Sequence, residues 1–130
     1  MKIGASTLAG IEYSLENALE FIEGLGLDYA ELVHQFPSEN IEAELLESFN
    51  LKYSIHAPFM DVNIASLQDQ SRLNSLKQIK KSIDLANEIG AEAVVIHPGV
   101  TSFLPNKFFK KEVNDYAMES MIELGSTVKI

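Results

Sequence analysis

The 130-residue sequence predicts an α/β chain of (β/α)8-barrel type, carrying about four βα units and the start of a fifth strand. Three observations carry that expectation. Short apolar strands alternate with amphipathic helices, the pattern of a parallel sheet joined by right-handed crossovers. Within each strand one parity is bulky while the other is small, polar or titratable. All three histidines, His34, His56 and His97, fall at the carboxyl ends of expected strands.

The elements follow in chain order. "KIGAS" (2–6) is a short apolar strand ending in small residues. Ser14 is placed to cap a helix running to about Gly24, with Leu15, Ala18, Leu19, Ile22 and Leu25 at helical spacing. "DYAELVH" (28–34) reads as a second strand, and "PSEN" as the cap of a helix over roughly 41–49. "LKYSIH" (51–56) is a third strand, stopped by Ala57-Pro58. Residues 72–89 give the longest helix, with Leu73, Leu76, Ile79, Ile83, Ala86 and Ile89 in one stripe, and Gly90 ends it. "AEAVVIH" (91–97) is a fourth strand halted by Pro98-Gly99. A loop containing Pro105 leads to a helix over about 112–124, and "STVKI" (126–130) begins a fifth strand. Nothing of linker or low-complexity character divides the chain, so 1–130 is read as one domain or part of one.

Strand parity separates two architectures. If Ile3/Ala5, Ala30/Leu32, Tyr53/Ile55 and Val94/Ile96 face the helices, the opposite face carries Gly4/Ser6, Glu31, Ser54/His56 and Val95/His97. A doubly wound sheet is covered on both faces and needs both apolar. A TIM barrel instead directs polar residues at the carboxyl ends of its strands into its mouth. The barrel fits.

His56 and His97 share the inward parity, and each is followed by a proline within two residues. Neutral imidazoles there can bind a metal, act as acid or base, or donate a hydrogen bond. They are the candidate metal ligands. His34 falls on the other parity and reads as structural. Glu31, inside a strand and pointing inward, needs a cation, a metal or hydrogen-bond donors to stay ionised. With Asp61 and Asn63 in the loop after His56, it forms the candidate substrate-binding set. Lys107, Lys110 and Lys111 read as the solvated start of a helix.

Composition narrows the partners. The net charge is −9, and ten acids but no Lys or Arg lie between Lys2 and Lys52. Duplex nucleic acids are bound by basic side chains on phosphates, so a long nucleic-acid footprint is poorly served. Neither GxGxxG nor GxxxxGK[ST] occurs. With no cysteine there is no disulfide framework or thiolate metal site. No apolar run reaches the roughly 20 residues of a membrane-spanning helix. The amino terminus lacks a signal-peptide h-region, and a cytoplasmic location is expected.

"SIHAPFMDVNIAS", a helix, and then "AEAVVIHPG" resemble the xylose isomerase-like barrels, which include endonuclease IV and many sugar isomerases and epimerases. "KIGAST" and "YAEL" agree with that resemblance, which covers essentially the whole chain. It implies an eight-stranded barrel of roughly 250 residues, of which this is the amino-terminal half, inactive alone. It also implies a divalent metal (zinc, manganese or magnesium) and a small sugar or sugar-phosphate substrate. In endonuclease IV-like members the histidines matching His56 and His97 bind zinc in a cluster that cleaves a phosphodiester at abasic DNA. In the sugar branch they position the substrate, while carboxylates and a histidine of later strands hold one metal and glutamates move the proton. The acidic first half and the MDVNIAS loop favour sugar chemistry. A third expectation is an assembly module, since a half barrel exposes two sheet edges through which copies could associate.

Overall fold

A computed structural model describes residues 2–10, 12–100 and 108–129. Four strands, β1 (Gly4–Ser6), β2 (Tyr29–Val33), β3 (Lys52–His56) and β4 (Ala93–Val95), pair in parallel in the order β1-β2-β3-β4. The register sets Ser6 beside Glu31, Glu31 beside Ser54, and His56 between Val33 and Val95. Helices α1 (Leu15–Gly24), α2 (Ala43–Glu47), α3 (Asp69–Ile89) and α4 (Lys110–Gly125) make up the helical part, with a 3-10 turn at Thr7–Gly10.

The expected parity holds. Ala30, Leu32, Tyr53 and Ile55 pack with Leu19, Ile22, Leu46, Leu85 and Ala86 of the helices, and Ala5 and Val94 join them. A second cluster of Ala57, Ile64, Leu76, Ile79, Ile83 and Leu124 lies under α3 and α4. Each fully buried Leu or Ile of these clusters contributes roughly 1.5–3 kcal/mol. Tyr53 places its hydroxyl on the Leu46 carbonyl at 2.9 Å, and burial pushes that phenol up to about 12. The opposite sheet face is wet or half-buried at Gly4, Ser6, Glu31, Ser54, His56, Val95 and His97.

That face is curled. Lys2 Nζ, just before β1, lies 2.8 Å from Glu92, just before β4, although these strands are the two edges of the sheet. A flat sheet would hold those ends about 14 Å apart, three strand spacings. Tyr29 donates to Glu92 at 3.3 Å and Lys52 reaches it at 3.8 Å, so one carboxylate gathers groups from all the strands at their amino ends. The Lys2 ammonium holds that carboxyl below its usual range. The curled parallel sheet with helices outside is a partial α/β barrel.

Several local expectations change. Ser14 caps α1, accepting from Asn17 N–H at 3.2 Å, and Gly90 ends α3 in the left-handed region with φ 65°. "PSEN" does not cap α2. That helix starts after Glu42, which makes no side-chain cap, and within PSEN the Glu39 carbonyl accepts from His34. Leu25, at the C-cap of α1, and Leu73, in the first turn of α3, are exposed rather than in their helices' buried stripes. Ile3 precedes the ladder and is also exposed. Residues 126–129, expected to start a fifth strand, turn back instead. Ser126 and Thr127 N–H groups return to carbonyls of α4, and Lys129 N–H donates to Asn87 Oδ1 at 2.9 Å on α3. Pro105, Lys107 and Ile130 lie outside the described residues.

His34 is structural, as its parity implied. It is buried, accepts from the Ser82 hydroxyl at Nδ1 (2.8 Å) and donates from Nε2 to the Glu39 carbonyl (3.1 Å), tying the end of β2 to α3. Burial lowers its pKa from 6.5, so the folded state prefers the neutral ring. Its contribution to stability is complete above that value and declines as pH falls below it, where the unfolded chain takes up the proton first. Denaturant midpoints measured from pH 7.5 to 5.5 should therefore fall with acidification, and fall less in His34→Gln. Ile55→Ala, at a fully buried site between β2 and the helices, should cost about 2–5 kcal/mol in urea unfolding.

Candidate active site at the carboxyl ends of β3 and β4

His56 is the last residue of β3, and His97 lies two residues beyond β4. The ladder carries on past both strand ends: His34 N–H donates to the His56 carbonyl and Ala57 N–H to the Val95 carbonyl, each at 3.0 Å. This fixes the backbone under the first imidazole. The two rings have centroids 5.1 Å apart, and Phe59 completes a triangle, edge-on to His56 at 5.1 Å and stacked on His97 at 5.4 Å.

The pair suits a metal ion in two respects. His56 Nδ1 lies 2.9 Å from the Ala57 carbonyl, which can only accept, so Nδ1 carries the hydrogen and Nε2 keeps its lone pair. Two imidazoles on one tetrahedral ion have ring centroids about 5 Å apart, given bond lengths near 2 Å, which matches the observed 5.1 Å. The donor set is incomplete. No group of three or more His, Asp or Glu side chains converges among the described residues.

Glu31 shares the inner face but sits two residues below the histidine level, half-buried between Ser6 and Ser54, with no ion pair among the described residues. Asp61 is exposed in a turn at φ 57°, a left-handed conformation that aspartate tolerates. Asn63 is half-buried, and its amide engages the backbone of Val100 and Ala65. Lys111 pairs with Asp115 at 2.6 Å and stays exposed, as the helix start implied.

Sequence reasoning missed the residues that shape the loops. Gln35 is buried, and its Oε1 accepts from Phe59 N–H (3.1 Å) and Met60 N–H (3.3 Å), pinning the chain after His56 to the end of β2. Gly99 adopts φ 90°, and a Cβ there would meet Asn63 Oδ1 and come within 2.8 Å of Ala65 Cβ. Arg72 spans Ser66, donating to its carbonyl at 2.7 Å, and lies 4.0 Å over the Tyr116 ring of α4. The one available signal was polar residues on buried helix faces. Ser75, Ser82 and Ser120 each bond a loop or strand end near the mouth.

A curled parallel sheet with paired imidazoles at its carboxyl rim defines an α/β-barrel chain whose candidate chemistry sits at the mouth. The chain belongs to the xylose isomerase-like TIM barrel family, whose model matches residues 13–129. It is 31% identical to an uncharacterised protein of Methanocaldococcus jannaschii, over 96% of this chain and 48% of that one. A probable endonuclease 4 of Mycobacterium leprae is 36% identical over 63 residues, covering 48% of this chain and 25% of its own length. Among solved structures, a D-tagatose 3-epimerase-like protein superimposes with TM-score 0.84 at 27% identity, over 98% of this chain and 48% of that one. The chain thus spans about half the length of the Methanocaldococcus jannaschii protein and of the epimerase-like structure, and its match to the endonuclease covers a quarter of that protein.

Gly99→Ala and Gly90→Ala separate conformation from crowding. Both glycines have positive φ, but a Cβ at Gly90 would meet open space. Gly90→Ala should cost about 1 kcal/mol, the left-handed penalty alone. Gly99→Ala should cost more and should disturb the loop amides of 63–65 in a two-dimensional NMR spectrum.

Proposed function

We propose that this chain is the amino-terminal half of a divalent metal-dependent sugar or sugar-phosphate isomerase or epimerase, inactive alone. The observation that carries the reading is the His56–His97 pair at the barrel mouth, with Nε2 of His56 available and ring spacing suited to one ion. The likeness to a D-tagatose 3-epimerase-like structure supports the sugar branch. The sugar branch uses the matching histidines for the substrate, but the geometry of this pair suits an ion. His56 and His97 would therefore hold zinc, manganese or magnesium, and other parts of the barrel would complete the ligand set. When bound, such an ion polarises a carbonyl and acidifies the adjacent C–H.

The chain's own groups have separate tasks. The Ala57 carbonyl keeps the His56 hydrogen on Nδ1, so the ring presents its lone pair outward. Glu31 and Asp61 are the acceptors for sugar hydroxyls, Glu31 from the inner face and Asp61 from the rim. The Phe59 ring shields one side of the His97 imidazole from water. Proton movement next to the carbonyl is assigned to carboxylates outside this chain.

A second reading, an endonuclease IV-like phosphodiesterase acting on abasic DNA, is favoured by the match to a probable endonuclease 4. The basic groups needed for a DNA backbone are scarce, with net charge −9, so it ranks second. Association of copies through the β1 and β4 edges, which lack outer partners among the described residues, is a third role. No described helix is long and apolar enough to cross a membrane, and a cytoplasmic location is proposed.

Zinc titration of the chain followed by calorimetry should give weak binding near one equivalent, reduced about tenfold or more, roughly 1.4 kcal/mol, in His56→Ala and in His97→Ala. A longer protein carrying this chain should epimerise or isomerise ketoses. Cleavage of abasic-site DNA with no ketose turnover would reverse the ranking, and zinc binding unaffected by either alanine would remove the histidines from the site.

A further inference from the structure

Among the described residues the segment after His97 has no strand beside it, yet it is held at both backbone groups of one residue. Asn63 Nδ2 donates to the Val100 carbonyl at 2.6 Å, and Asn63 Oδ1 accepts from Val100 N–H at 3.2 Å and from Ala65 N–H at 3.1 Å. We propose that Asn63 is a positioning residue for His97, its amide clamping residues 98–100 and thereby setting where the imidazole stands against His56.

Taking both the N–H and the C=O of a residue is what a neighbouring strand does in a ladder. A side-chain amide offers a donor and an acceptor side by side and can do the same. Aspartate lacks the donor, and an apolar residue lacks both. Between the clamp and the imidazole stand only Pro98, whose φ is fixed by its ring, and Gly99. Gly99 lies so close to Asn63 and Ala65 that no Cβ would fit.

Asn63 is itself anchored. Its N–H donates to Ser75 Oγ at 2.8 Å, and that hydroxyl donates to the Ser71 carbonyl at 2.8 Å within α3. Ser75 is 1% exposed, so the chain of bonds starts in the core and ends at the mouth. A further contact on His97, the Phe59 ring, comes from the same loop, and Gln35 holds that loop from β2. The Asn63 clamp and the Phe59 contact therefore both originate in the segment that follows the first histidine.

The purpose of this positioning rests on the metal-dependent reading above, but its test does not. Stacking on Phe59 displaces the His97 ring-proton resonances by the aromatic ring current, an effect visible by NMR in the metal-free chain. Asn63→Ala should lose most of that displacement while the His34 ring signals stay in place. Asn63→Asp keeps the acceptor but not the donor, and should lie between wild type and alanine. Unmoved His97 resonances in a folded Asn63→Ala overturn the proposal. Should that variant not fold, unmoved resonances in Asn63→Asp overturn it instead. Zinc titration of the same proteins keeps the two ideas apart. A wild type that binds no zinc, with His97 displaced in the variants, removes the metal reading and leaves the positioning standing. Zinc binding with His97 unmoved removes the positioning alone.

Discussion

Alternation of side chains along four parallel strands is the constraint on which the rest of this chain depends. Each residue's face is fixed by its place in the ladder, so Ile55 enters the helix-covered core because His56 does not. A slip of one residue in β3 would bury an imidazole among leucines and expose Tyr53 and Ile55. The apolar face therefore protects the polar one. Burial of Ala30, Leu32, Tyr53 and Ile55 holds the register that places His56 beside Val33 and Val95.

On that frame the loops of the mouth are held by polar pins set in the core. Ser75, Ser82 and Ser120 are each almost fully buried on helices, and each bonds a segment near the strand ends. No buried side-chain nitrogen or oxygen lacks a partner among the described residues. Removing one partner would strand the other without water, which costs about 1–3 kcal/mol. The helices thus fix loop positions as well as covering the sheet. Gln35 and Arg72 do the same from β2 and from the start of α3.

The alternation of β and α, the four strands, the strand parity and the two mouth histidines were legible because each depends on local period and residue type. His34 was separable from His56 and His97 by parity alone. Other features depend on partners distant in sequence. PSEN read as a helix cap, but α2 begins beyond it and the Glu39 carbonyl is taken by the His34 ring. Residues 126–129 have the residues of a strand but join Asn87 on α3. Asn63 read as a loop polar group able to contact a substrate, and its attachment to Val100 is set by how two loops approach, which no spacing encodes. Glu92, an unremarked acid in sequence, becomes the meeting point of Lys2, Tyr29 and Lys52 only when the sheet curls.

The strand order has a kinetic consequence. Every ladder joins strands adjacent in sequence, so no pairing waits for a residue synthesised much later. Each βα unit can settle on its predecessor as it leaves the ribosome. The Lys2–Glu92 pair can close only once Glu92, just before β4, has been made. At that moment the outer side of β4 has no strand partner among the described residues, beside a groove lined by Val94, Ile96, Met121, Leu124 and Val128. Growth of this sheet is therefore vectorial, and its leading margin is a template for whatever strand arrives next.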